Sequence, residues 1–248
     1  MILVLCAVWV WQQLPDGNLK LVFCDVGQGD GAIVSLGYFQ ALIDTGENEE
    51  KILDCLSDQL PFWDRHLEVV FVTHPDSDHA GALDEVKRSY EVGRLISKGG
   101  FGDMVRAGDL WFEILSDDMG GAENENAGCE STNECSLVIT MRYKKFSALF
   151  TGDMGEVQEL ALVSRGVIKT SDVLKVPHHG SKFSSSKIFL EAVSPKLAVI
   201  SVGAKNNYGH PTSDTLMRLD GVGAKVLRTD ILGTIEVGTD GERVWLKK

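Results

Sequence analysis

The residues best suited to chemistry in this chain fall within one short stretch and recur in later loops. In Thr73-His74-Pro75-Asp76-Ser77-Asp78-His79-Ala80-Gly81, two imidazoles and two carboxylates lie within six residues. They follow an apolar, strand-like run, Val69 to Val72. At the end of a buried strand such groups would desolvate or repel one another, and a divalent cation removes that conflict. The competing explanation is a solvated acidic turn in which Asp78 caps a helix starting near His79. The later loops favour a metal. Asp44, Asp153, the pair His178 and His179, and His210 each follow a strand-like run. Five of the six histidines sit in such loops, and only His66 does not.

The elements that must carry these loops alternate strand and helix. Strands are expected at 19–23, 32–36, 40–43, 67–72, 95–97, 110–115, 137–141, 146–150, 172–176, 197–202, 224–228, 233–237 and 243–247, from their apolar and β-branched runs. Helices are expected at 48–60, 79–90, 154–165, from Ser184 or Ser185 to about Val193, and from Thr212 or Ser213 to Gly221, bounded by capping residues, prolines and glycines. This alternation describes one α/β domain, residues 18–248, preceded by a short apolar segment, residues 1–17. Met1 to Trp11 has no charge, and eleven residues fall short of the roughly 20 that span a bilayer, so the segment is expected to be an anchor remnant or a first strand.

Composition narrows the partners. The net charge of −12 disfavours a broad nucleic-acid-binding face. The charge is uneven: residues 1–153 hold 11 basic against 26 acidic residues, while residues 154–248 hold 13 against 10, so an anion approaches the C-terminal part more easily. From 107 to 141 there are eight acids and no Lys or Arg, which reads as an exposed, self-repelling loop. The five cysteines show no Cys-x-x-Cys spacing. Cys129 and Cys135 are either a disulfide across a short loop or free thiols. Gly27, Gly29 and Gly31 do not form a nucleotide-binding loop, because a strand follows them rather than a helix, and no nucleotide cofactor is expected. They suit a hairpin whose backbone approaches a neighbouring site closely. Asp25 and Asp30 would either support that site from behind or simply shape the turn.

Several motifs in order carry a resemblance. Phe23-Cys24-Asp25-Val26-Gly27-Gln28-Gly29-Asp30-Gly31, Asp44-Thr45-Gly46, His74-Pro75-Asp76-Ser77-Asp78-His79, Asn133-x-x-Ser136, Thr151-Gly152-Asp153, Lys175-Val176-Pro177-His178-His179-Gly180-Ser181 and Tyr208-Gly209-His210-Pro211 resemble the metallo-β-lactamase superfamily. Within it they are most similar to the soluble domain of ComEC-type DNA-internalisation competence proteins. The resemblance implies a four-layered αββα sandwich with two divalent metal ions, Zn²⁺ or Mn²⁺. Carried onto this sequence, His74, Asp76, Asp153 and one of His178 and His179 would hold one ion. Asp78, His79, Asp153 and His210 would hold the other, with Asp153 bridging. Asp44 would keep the loop in shape. Asp76, and Asn133 or Ser136, stand where many superfamily members have His. The exchange favours harder metals.

The implied reaction is phosphodiester hydrolysis by a metal-bridging hydroxide. Asp78, His178 and His210 are the candidate catalytic groups, and His178 or His210 would protonate the leaving oxygen. Lys175, Ser181 and Lys182 are candidate phosphate contacts. DNA is the expected substrate, in competence-type uptake. ComEC-type proteins carry a multi-helix membrane channel that this sequence lacks, so the expected partner is a channel encoded separately, and an extracytoplasmic or membrane-associated location is favoured over a cytoplasmic one. Two alternatives stand beside this. One is a hydrolase of a small substrate, such as a cell-wall phosphodiester or a lactone. The other is a non-catalytic accessory module, which would be expected to have lost ligands.

Overall fold

The computed structural model describes residues 16–116, 133 and 136–247. Among these, the strands form two seven-stranded sheets and one small pair. The first sheet contains β1 (Leu19–Phe23), β2 (Ala32–Leu36), β3 (Phe39–Ile43), β5 (Val69–Phe71), β7 (Leu95–Ile96), β15 (Ile235–Thr239) and β16 (Val244–Lys247), in the order β16-β15-β1-β2-β3-β5-β7. The second contains β8 (Met104–Ala107), β9 (Leu110–Ile114), β10 (Ile139–Tyr143), β11 (Phe146–Phe150), β12 (Val173–Lys175), β13 (Leu197–Ile200) and β14 (Lys225–Arg228), in the order β14-β13-β12-β11-β10-β9-β8. The small pair is β4 (His66–Leu67) with β6 (Glu91–Val92).

Side chains alternate across each strand, and both faces of each sheet are buried, which explains the nearly continuous apolar runs. Phe23, Phe71, Phe112 and Phe150 fill the space between the sheets, with Phe71 and Phe112 ring centroids 5.3 Å apart. On the first sheet's outer face, Val22, Ile33, Leu42 and Val70 meet α1 (Glu49–Gln59) and α3 (Leu83–Ser89) through Ile52, Leu56 and Val86. On the second sheet's outer face, Leu149, Leu174 and Ala198 meet α4 (Glu156–Ser164), α5 (Lys187–Val193) and α6 (Ser213–Gly221). The result is the expected four-layered αββα sandwich.

Strand direction places the site. β1, β3, β5 and β7 run in one direction within their sheet, and β11 to β14 are parallel in theirs. The loops that follow β1, β3, β5, β11, β12 and β13 carry the candidate ligands, and parallel strands deliver them to one edge.

Several boundaries depart from expectation. The helix predicted over 79–90 is divided into α2 (Ser77–Ala80) and α3, because Ala82 N–H is drawn to the Gly46 carbonyl at 2.9 Å. Asp78 does not cap it; the N-cap position is Asp76, without a side-chain cap bond. Ser186, rather than Ser184 or Ser185, caps α5, because Ser184 donates to the Pro177 carbonyl and Ser185 N–H binds Glu159. Thr212 caps α6. β8 and the short helix α7 (Thr229–Leu232) were not foreseen.

The cysteine pairing was also not foreseen. Cys24, just beyond β1, forms a disulfide with Cys55 of α1, with Cα atoms 5.9 Å apart. Their separation of 31 residues gives no local signal; packing of α1 on the sheet brings them together. Cys129, Cys135 and most of the apolar segment 1–17 lie outside the described residues. Among the described residues no helix is long and apolar enough to cross a membrane. Reducing the Cys24–Cys55 bridge should destabilise the fold by about 2–4 kcal/mol. Thermal unfolding with and without reductant checks this, and an unchanged midpoint would contradict it.

Candidate metal centre

Asp44 organises the centre from behind. It follows β3 in a left-handed conformation (φ 59°). Its carboxylate accepts Thr73 N–H at 2.7 Å and Thr73 Oγ1–H at 2.8 Å, and lies 2.8 Å from His79 Nδ1. With Nδ1 held there, His79 Nε2 points into the site, 3.1 Å from Asp153 Oδ1. Asp153 follows β11, and its N–H donates to Ser136 Oγ at 3.1 Å. Ser136 is itself fixed, since its N–H donates to the Asn133 carbonyl and its carbonyl accepts from Gln158.

The turn Pro177–Gly180 supplies two imidazoles. His178 and His179 both adopt left-handed backbone (φ 49° and 52°), which costs about 1–2 kcal/mol per residue. The turn sends them in different directions. His179 is buried; its Nδ1 lies 2.9 Å from the Ser201 carbonyl, and its Nε2 lies 3.1 Å from Asp78 Oδ2 and 3.6 Å from Asp153 Oδ2. His178 has a side chain 29% exposed, with Nε2 3.7 Å from Asp153 Oδ2 and its ring 5.8 Å from that of His210. His74 Nε2 lies 3.8 Å from Asp76 Oδ2.

Gly29 lets the first loop close over this cluster. A Cβ built there would lie 2.1 Å from the Asp78 carbonyl oxygen. The approach allows Asp30 N–H to donate to that oxygen at 3.0 Å and brings the Asp30 carboxylate to 3.3 Å from His179 Nδ1. Lys175, expected at a substrate phosphate, is instead buried and ion-paired with Asp30, because β12 ends beneath the site rather than beside it. Ser181 is likewise buried, with its Oγ accepting from Phe183 N–H, while Lys182 is exposed. Asp25 does not join the cluster: it holds Gly27 N–H and Lys51 within its own turn.

Two ligand groups result, each with donor atoms within 4.8 Å of one another: Asp30, His79, Asp153 and His179; and His74, Asp78 and His79. The partition carried over by resemblance assigned His79 and His178 or His179 to different ions, whereas His79 and His179 share a group here. Asp30 Oδ1, His74 Nε2, His79 Nε2, Asp153 Oδ1 and His210 Nδ1 are buried without a well-formed hydrogen bond, although His79 Nε2 and Asp153 Oδ1 lie 3.1 Å apart and Asp30 Oδ1 lies 3.3 Å from His179 Nδ1. An unmet buried polar atom costs about 1–3 kcal/mol. Such atoms, converging with mixed nitrogen and oxygen chemistry, fit divalent cations.

The electrostatics agree. Burial opposes charge on Asp153, but His179 and His79 hold its carboxyl well below the usual range. Asp30 is held low against burial mainly by Lys175. Burial also opposes charge on His179, but Asp153, with the nearby Asp30 and Asp78 carboxylates, pushes it up to about 9. His79 is raised well above its ordinary value against burial, chiefly by Asp44. Protons on these two rings thus stand where a cation would bind. Burial lowers His74, His178 and His210, leaving them neutral donors or acceptors near pH 7.

Some supporting residues had no sequence signal. Glu159 accepts Ser185 and Ser186 N–H groups, and Arg218 donates to the Ser184 and Ser185 carbonyls. Both brace the chain after the histidine turn, and both sit at ordinary helical positions.

Comparison with known proteins defines the class. The family model for the metallo-beta-lactamase superfamily matches residues 39–204, and the chain belongs to that superfamily. It is 31% identical to ComE operon protein 3 of Bacillus subtilis over 89% of this chain and 33% of that protein. It is 31% identical to competence protein ComA of Neisseria gonorrhoeae over 92% of this chain and 33% of that protein. The chain therefore spans about one third of the curated relatives it matches. Among solved structures it is similar in fold to YhfI from Bacillus subtilis (TM-score 0.58, 10% identity, covering 92% of this chain and 100% of that one). It is also similar in fold to CmlA, a diiron β-hydroxylase from Streptomyces venezuelae (TM-score 0.56, 14% identity, 94% and 55%).

Asp44→Asn should weaken divalent-metal binding about 10–100-fold with the fold retained, as measured by calorimetry and circular dichroism. For His179, a pKa raised from 6.5 to about 9 stabilises the metal-free protein fully below pH 6.5 and is lost as pH rises through 9. The melting temperature of metal-free protein should therefore fall across that window, and that of metal-loaded protein should not.

Proposed function

We propose that this domain is a metal-dependent phosphodiesterase whose substrate is DNA. The observation that carries the reading is the convergence of buried ligand atoms from Asp30, His74, Asp78, His79, Asp153 and His179 at one sandwich edge. Asp30, His79, Asp153 and His179 would hold one divalent ion and His74, Asp78 and His79 the other, Zn²⁺ or Mn²⁺, with Asp76 beside His74. When bound, the ions would supply Lewis acidity toward the phosphate oxygens and would lower the pKa of water for in-line attack.

The chain's own residues supply the rest. Asp44 and Ser201 orient His79 and His179 through Nδ1, leaving each Nε2 for the centre. Asp153 reaches both histidines with one oxygen each. His178 or His210, at the rim, would donate a proton to the leaving oxygen; burial lowers both, so this donation weakens as pH rises toward neutrality. Lys175 offsets the charge of Asp30 and keeps the underside of the site from becoming more anionic.

The names of the similar competence proteins support DNA uptake as the setting, with a membrane channel as partner. The Cys24–Cys55 bridge supports an oxidising, extracytoplasmic location. A second reading, a small phosphodiester as substrate, is favoured by the net charge of −12, which repels an extended polyanion.

Metal analysis should find close to two divalent ions per chain, as a two-metal site requires. Asp153→Ala should lower turnover of both an oligonucleotide and bis-p-nitrophenyl phosphate at least 10²-fold. Retained turnover would exclude Asp153 from the centre. Turnover of the small ester without any DNA cleavage would select the second reading.

A further inference from the structure

The metal cluster is flanked by two aromatic side chains that the hydrolytic chemistry does not use. Phe183 lies four residues beyond His179 and is 69% exposed, and Tyr208 lies two residues before His210 and is 70% exposed. Single exposed rings are ordinary on a protein surface, but these two sit on the loops that carry the site histidines His179 and His210, where a substrate would pass.

Both loops are fixed. On the first, the Phe183 carbonyl accepts from Glu156 N–H at 3.2 Å, and Phe183 N–H donates to Ser181 Oγ at 3.3 Å. Arg218 adds a bond to the Ser184 carbonyl at 2.9 Å. On the second, Asn206 spans the loop: its Nδ2 donates to the Gly203 and His210 carbonyls, and its Oδ1 accepts His210 N–H at 3.0 Å. The Tyr208 ring lies nearly parallel to His210, 18° between planes with centroids 5.9 Å apart, which leaves its other face to solvent. The backbones are therefore pinned while both rings stay largely exposed.

Charge supports one kind of ligand. Lys182 Nζ lies over the Phe183 ring at 4.9 Å, and Lys205 is exposed on the Tyr208 loop. Both lie in the C-terminal part of the chain, where basic residues outnumber acidic ones. An exposed ring and an exposed lysine on each of two loops next to a phosphodiester-cleaving centre suit a strand whose bases are free to stack. A duplex keeps its bases stacked on one another and cannot use such platforms.

We propose that Phe183 and Tyr208, each on a braced loop at the metal cluster that also carries a lysine, are stacking platforms that select single-stranded nucleic acid. The proposal rests on the phosphodiesterase reading and names its substrate class. The platforms grip unpaired bases on either side of the scissile phosphate, and Lys182 and Lys205 follow the flanking phosphates.

Fluorescence anisotropy of the metal-loaded protein tests this, using a labelled phosphorothioate oligothymidylate of about 12 nucleotides. The comparison strand has the same length and charge but abasic residues. Wild-type protein should bind the thymidylate strand roughly tenfold or more tightly than the abasic one. Phe183→Ala and Tyr208→Ala should each reduce that preference, while Tyr208→Phe should keep it. Tyr38→Ala serves as control, because Tyr38 is 65% exposed on the β2–β3 turn at the opposite edge. Equal affinity for the two strands, an undiminished preference in both alanine variants, or equally tight duplex binding would overturn the stacking proposal and leave the phosphodiesterase reading intact. Failure to bind either strand would overturn the DNA reading, and the stacking proposal with it.

Discussion

Asp30, Asp44, Asp153, His74, His79 and His179 are all buried together at one edge of the sandwich, and most of the structure near that edge serves to hold them there. Carboxylates and imidazoles withdrawn from water repel, desolvate or protonate one another unless a cation balances them. In the protein itself that balance is partly met by Lys175 against Asp30 and by protons on His79 and His179. Ring nitrogens and carboxylate oxygens still remain without well-formed hydrogen bonds. A divalent centre removes the deficit with one kind of group.

Backbone geometry accepts local strain to maintain this arrangement. Asp44, His178 and His179 are all left-handed without being glycine. Gly29 packs against the Asp78 carbonyl at a distance no side chain permits. These positions border the cluster, and the surrounding hydrogen bonds hold them in place: Thr73 to Asp44, Ser136 to Asp153, Ser201 to His179. The disulfide fastens the chain between β1 and the Gly29 loop to α1, so the loop that brings Asp30 in is anchored at its base.

The layered fold was legible because both sheets are buried on two faces, so their strands stand out as apolar runs between loops rich in glycine and polar residues. The central ligands were legible because His74 to His79 crowd into six residues and because strand after strand ends in Asp or His. Short elements were less visible: β8 is half-exposed and α7 is only four residues long, too short for either period to declare itself. The division of helix 79–90 was hidden because the competing partner, the Gly46 carbonyl, is distant in sequence.

The class of site is written in the chain, since ligand identity and order are properties of residue type and of where each strand stops. How neighbours along the chain divide their roles depends on packing between distant elements. His178 and His179 are adjacent and chemically identical, yet one is buried against Ser201 and Asp78 and the other opens toward His210. Lys175 reads as a surface cation near a histidine loop, but the end of β12 turns it inward onto Asp30. Cys24 and Cys55 meet only because α1 packs on the sheet. In each case the deciding interaction comes from a residue distant along the chain, and a linear pattern does not encode that distance.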